Sequence, residues 1–282
     1  MTVHGFSHIN INCTDLDATV GFYAGLLGMP VAKRLPVREN TGALVGLAPP
    51  HTNRVAVLSP GSGEPGMELI EWHLPTPPPP VEAPAGGRLA GVAALRLTVA
   101  DLEAVRGSLP EAEDRDGLVV TYAPEGERVE LVQGDRTALQ AVTVVVADLD
   151  AAARAYDAVL GIGPSPEGQR LGDDGTPFRE LDLIVPAKPA PLTVTLREYR
   201  DGLTHVVPER RADTPGALRL AFFDKDIEGA HERALTAGGT SLSAPELFYF
   251  GSLTAHAALW FDRDGVLIEV LTFLRAESKE TK

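Results

Sequence analysis

Cysteine, basic charge and long apolar runs are all scarce in this sequence. Its single cysteine, Cys13 among 282 residues, excludes an intramolecular disulfide and any multi-cysteine zinc site, and fits a reducing compartment. Twenty-five Lys and Arg against 39 Asp and Glu leave a formal net charge of -14. That is the wrong sign for gripping a phosphate backbone or an anionic membrane surface, so neither nucleic acid nor membrane is expected as a partner. No stretch approaches the roughly 18 apolar residues of a membrane span. The opening MTVHGFSHIN has no basic segment followed by an apolar run, which makes a cytoplasmic location the expectation. Also missing are a nucleophile elbow, a Walker sequence, a dinucleotide glycine fingerprint and a histidine-rich metalloprotease motif. Covalent hydrolysis, nucleotide-dependent transfer and nicotinamide redox chemistry therefore have no sequence signal.

What remains is a globular composition, 44% hydrophobic and 23% charged, long enough for one large or two ordinary domains. Proline is the exception to the scarcity. Of 23 prolines, four are consecutive, Pro77 to Pro80, and run into VEAPAGG as an extended linker candidate.

The chain repeats itself. TDLDATVGFYAGLLGM from Thr14 matches ADLDAAARAYDAVLGI from Ala147 without a gap, with Asp15, Leu16, Asp17, Ala18, Tyr23, Leu27 and Gly28 recurring as Asp148, Leu149, Asp150, Ala151, Tyr156, Leu160 and Gly161. A constant register over the segment indicates an internal duplication. Each half divides again: HININCTDLD, ALRLTVADLE, AVTVVVADLD and RLAFFDKDIE each read as an apolar-rich strand entering an acidic helix start. In the first, Ile9 and Ile11 alternate with Asn10 and Asn12, the period-2 pattern of a half-buried strand. Asp15, Asp101, Asp148 and Asp226 stand where a carboxylate would cap a helix N-terminus. Each unit closes on a second strand: GMELIEW, ERVELVQ, PLTVTLREY and GVLIEVLTF.

These residues resemble the vicinal oxygen chelate superfamily, which includes glyoxalase I, methylmalonyl-CoA epimerase, extradiol dioxygenases, fosfomycin-resistance enzymes and bleomycin-binding proteins. The pattern carrying the resemblance is His8, then Asp15-Leu16-Asp17, Phe22-Tyr23, Leu27-Gly28 and the terminal-strand Glu68-Leu69. The resemblance implies an α+β fold of four βαβββ modules, paired into two cup-shaped mixed-sheet domains. The expected division is residues 1–136 (modules 1–76 and 88–136, linker 76–87) and 137–276 (modules 137–202 and 214–276). It also implies a cup holding a divalent metal, bound by one residue from the first and one from the last strand of each module. Carried over residue by residue, those positions are His8, Ala94, Ala141 and Arg219 on first strands, and Glu68, Glu130, Thr195 and Glu269 on last strands.

The resemblance thus assigns His8, Glu68 and Glu130 as the metal set of the N-terminal cup, with either glutamate as a catalytic base. Such a set suits manganese, magnesium or zinc, with iron less favoured. A competing reading pairs Glu130 with Arg96 on the same face. In the C-terminal half, Arg219 and Glu269 would form an ion pair filling the space of a cation. Ring-cleaving extradiol enzymes use two histidines and a glutamate in that half, and only Glu269 corresponds. Asn10, Arg96, Arg219, His256, Glu269, Tyr249 and Trp260 are expected around the pockets, with His256 aimed into the second cup. His51 and His73 are expected to be exposed, and His231 to lie on the solvent face of its helix.

Two functions follow as alternatives. One is a metal-dependent isomerase, epimerase or lyase acting on a small oxygen-chelating substrate; the other is a metal-free protein that binds or sequesters a small molecule. Ring cleavage is a further alternative. A monomer or homodimer is expected.

Overall fold

The computed structural model describes residues 3–40, 44–47, 51–74, 76, 85, 87–115, 117–165, 168–171, 175–207, 210–250 and 253–274. The proline tract Pro77 to Pro80 lies outside the described residues.

Each of the four modules begins with the strand and helix legible in the sequence. The opening strands are Gly5–Cys13, Gly91–Val99, Ala138–Val145 and Gly216–Phe223. Helices follow at Leu16–Val20, extended by a wider π turn through Gly21–Leu26, and at Leu102–Gly107, Leu149–Leu160 and Ile227–Thr236. All four start on the same chemistry. The side chains of Asp15, Asp101, Asp148 and Asp226 accept backbone N–H bonds from the first helical turn, at 2.9 to 3.1 Å, satisfying donors the helix itself leaves open. The Leu149–Leu160 helix stops at Gly161, whose φ of 65° closes the end in a left-handed conformation that glycine adopts freely.

Among the described residues, the strands assemble into a nine-stranded and an eight-stranded mixed sheet, with a two-stranded piece, Arg88–Leu89 with Thr204–His205, outside them. Here the pairing of modules departs from the expected halves. Gly5–Cys13 of the first module pairs antiparallel with Gly216–Phe223 of the fourth, and Gly91–Val99 of the second pairs with Ala138–Val145 of the third. One cup is therefore built from modules 1 and 4, the other from modules 2 and 3. The two seams share a register. His8 opposes Ala221 and Asn10 opposes Arg219, and after translation through the repeat Ala141 opposes Arg96 and Thr143 opposes Ala94, each seam with a bulge at the next position. Modules within a half meet instead at their strand ends. The Thr14 N–H donates to Glu125 and the equivalent Ala147 N–H to Asp264, both at 2.7 Å.

Alternation along the strands sorts the side chains. Ile9, Ile11, Met67, Leu69, Leu220, Phe222, Ile268 and Val270 are almost fully buried in the main core, which also takes Tyr23 and Tyr156 from the helices. Each such aliphatic or aromatic side chain contributes about 1.5–3 kcal/mol by leaving water. The intervening residues, His8, Asn10, Glu68, Arg219 and Glu269, face the concave side with a smaller apolar cluster around Ala221, Leu259, Leu267 and Leu271.

Candidate functional site: the cup of modules 1 and 4

Four charged or titratable side chains meet at the base of this cup. The parallel registers set Asn10 beside Glu68 and Ala221 beside Glu269, so the two last-strand glutamates flank the antiparallel seam that carries His8 and Arg219. Arg219 lies between the glutamates. Its Nη2 bonds Glu68, and its Nε stands 3.0 Å from Glu269 Oε2. His8 Nε2 lies 3.5 Å from Glu68 and 3.8 Å from Glu269. The Arg219 side chain is 8% exposed and that of Glu269 only 3%, so both charges depend on one another rather than on water.

Beneath this layer, Asn10 and Asn12 hold the backbone. The amide of Asn10 donates to the Glu68 carbonyl at 3.1 Å. That of Asn12 donates to the carbonyls of Ala212 and Thr214, both at 2.8 Å, while its oxygen accepts from Trp72 Nε1 at 2.9 Å. Asn12 thus ties the segment leading into module 4 to the first strand, and fixes the indole in the wall.

Above the layer opens a cavity of about 820 Å³, within the size range of small-molecule sites. His8, Glu68, Arg219 and Glu269 form its floor; Val55, Ile70, Trp72, Phe223 and Phe248 are among its walls, and Tyr249 stands at its edge, 69% exposed.

Several sequence expectations are corrected by this geometry. His8, Glu68 and Glu130 do not converge, because Glu130 belongs to the other sheet. There it accepts two bonds from Arg96, at 3.0 and 2.7 Å, and stands 3.2 Å from Arg128. Arg96 is thus a partner for Glu130 rather than part of the cavity floor. That second cup is crossed by further pairs: Arg197 bonds Glu180 and stacks 4.3 Å over Phe178, and Thr195 donates to Asp182 at 2.7 Å. Arg219 and Glu269, assigned to a separate C-terminal cup, share the cup of His8. His256 points to the helix side, 3.7 Å from Glu228, and Trp260 is buried on that side in the main core. The reason is parity: Ala255, Ala257 and Leu259 take the concave face of their strand. His51 is buried against Trp72, and His231 is buried and bonded to Ser241 at 2.8 Å.

The donor set as arranged does not fit a divalent cation. Three of four positions carry His8, Glu68 and Glu269, but the fourth carries a permanently charged guanidinium that already engages both carboxylates. A second cation placed among them would face that charge at contact distance in a poorly solvated site. The expected Arg219–Glu269 neutralisation is present, and it extends to Glu68.

Residues 5–118 match the family described as the Glyoxalase/Bleomycin resistance protein/Dioxygenase superfamily. The chain has the glyoxalase fold. Glyoxalase I from Zea mays superposes with a TM-score of 0.65 at 17% identity, over 95% of this chain and 92% of that one. A putative dioxygenase from Bacillus subtilis superposes with a TM-score of 0.60 at 14% identity, over 96% and 86%. These likenesses are of fold alone. No curated protein matches the sequence.

Proposed function

We propose that the cup of modules 1 and 4 is a metal-free binding site for a small, largely apolar molecule, with a polar end seated on the His8–Glu68–Arg219–Glu269 layer. The observation that carries this reading is the position of Arg219, bridging both glutamates at the floor of the cavity. Two neighbouring, largely buried carboxylates need a cation, and here the polypeptide supplies one. The site has the character of a ligand pocket, apolar walls closing on a few convergent polar groups. The same layer offers no open cation position for the metal-dependent isomerase, epimerase or lyase reading, and no pair of histidines for ring cleavage.

The two tryptophans make the test internal. Trp72 lines the cavity and Trp260 lies in the core on the opposite face. Titration with apolar aromatic compounds should give saturable quenching that survives Trp260→Phe and is lost in Trp72→Phe. Addition of manganese, magnesium, zinc or iron(II) should leave the thermal midpoint unchanged. Absence of saturable quenching would end this reading, and a specific metal-dependent rise in midpoint would reinstate the metal-dependent enzyme.

A further inference from the structure

One polar group of the cavity belongs to its wall rather than its floor. Asn53 stands on the strand His51–Leu58 and is only 2% exposed. Alternation turns its side chain inward with those of Val55 and Val57, which line the cavity beside it. Arg54, between them, points the other way, to Asp17 and Glu71. Toward the next strand the surroundings are apolar: Trp72 lies directly opposite Asn53, and Ile70 opposite Val55. The indole N–H is committed to Asn12 at 2.9 Å, so it does not serve Asn53.

The Asn53 carboxamide oxygen is buried and has no hydrogen-bond partner among the described residues. A site with such an acceptor favours a ligand that supplies the donor over one that leaves it unmet. The terminal torsion of asparagine is broad, so the carboxamide can turn its oxygen and its NH2 together toward the cavity. The matching group donates and accepts side by side. An ammonium would bring a full charge against Val55, Ile70 and Trp72 with only an amide oxygen to meet it, and a carboxylate has no proton to give. A hydroxyl reaches one end of the carboxamide at a time. In a trans amide the N–H and C=O point to opposite sides, which leaves the cis amide of a ring.

We infer that the ligand carries a flat lactam, its adjacent N–H and C=O paired with the Asn53 carboxamide and its ring against Trp72. This rests on the binding reading above and names the group that the wall selects. Trp72, opposite Asn53, is four residues from Glu68 on the same strand, on the order of 13 Å of strand length. The lactam is therefore a second polar point of the ligand, remote from the end seated on the floor.

Two probes that differ by one N–H test this: 2-quinolinone and its N-methyl derivative, which keeps the ring and the carbonyl. Each is titrated against the intact protein by Trp72 quenching. 2-Quinolinone should bind at least about tenfold more tightly. In Asn53→Leu that preference should shrink to within about threefold, while the thermal midpoint stays level or rises, because an apolar group of similar size replaces an unpartnered amide. Should the leucine variant not fold, Asn53→Ala carries the same comparison. Equal binding of the two probes to the wild-type protein, or a preference that survives loss of the carboxamide, overturns the lactam assignment while leaving the cavity as a binding site. If neither probe quenches Trp72, the binding reading fails, and the lactam assignment with it.

Discussion

Arg219 bears two obligations, since removing it strips the partner from two buried carboxylates at once. Arg219→Ala should destabilise the protein by about 3–5 kcal/mol, the usual consequence of leaving a buried charge unpaired, as read by urea denaturation. Arg96→Ala provides the contrast. Its side chain is 38% exposed and Glu130 keeps Arg128 as a second partner, so the loss should be about 1 kcal/mol or less. Asp262 sets a pH dependence elsewhere. Burial and the neighbouring Asp264 push its carboxyl up to about 7, against the backbone N–H groups of Asp264 and Val266 that favour the ionised form. The folded state therefore retains a proton that the unfolded chain releases near pH 4, and stability should fall as pH rises between about 4 and 7, by at most about 1.4 kcal/mol per unit from this group. Asp262→Asn keeps an oxygen acceptor, and should flatten that slope in denaturation curves taken at successive pH values. Cys13 is inert by the same logic, its thiol pushed up to about 12 by burial, so thiol reagents should leave it untouched in the native protein.

Helix starts are where sequence and structure agree most directly. The chemistry is local: an aspartate needs only the next three residues to find its N–H partners. Asp148→Ala, at the head of the twelve-residue Leu149–Leu160 helix, should cost about 1 kcal/mol in chemical denaturation. Strand faces were legible for a related reason. Alternation in HININ sends His8, Asn10 and Asn12 one way and Ile9 and Ile11 the other, and the sheet keeps that order. Parity read from one strand does not, however, say which face is concave. His256 and Trp260 lie on the helix side because the small residues Ala255 and Ala257 take the curved inner face, a choice fixed by packing against module 4's other strands. His231 was misplaced because helix spacing alone gives no sign that Ser241 lies above it.

At the scale of the molecule, the duplication is visible in sequence, but the exchange of partners is not. Modules 2 and 4 present equivalent edges to module 1, so nothing in the first strand distinguishes them; the choice is made by how the halves fold back on each other. That is why repeat logic places Glu68 and Glu269 at equivalent points of their strands, yet groups Glu130 of the other sheet with His8. The arrangement predicts how the halves behave when separated. Residues 1–136 alone leave the Gly5–Cys13 edge without its Gly216–Phe223 partner, and module 2 of a second copy offers the same kind of edge. The isolated half should run as a dimer in size-exclusion chromatography with light scattering, with little folded monomer.

Because the first and last modules close one cup, the cavity works as a clasp on the two ends of the chain. Any opening that peels the fourth module from the sheet takes away Arg219 and Glu269 together and destroys the site, whereas modules 2 and 3 keep their own sheet. A bound molecule therefore resists that opening by its full binding free energy. Limited proteolysis should report it: a saturating ligand should slow cleavage around residues 210–216, the segment that Asn12 pins before module 4 begins, and should leave cleavage elsewhere as it was.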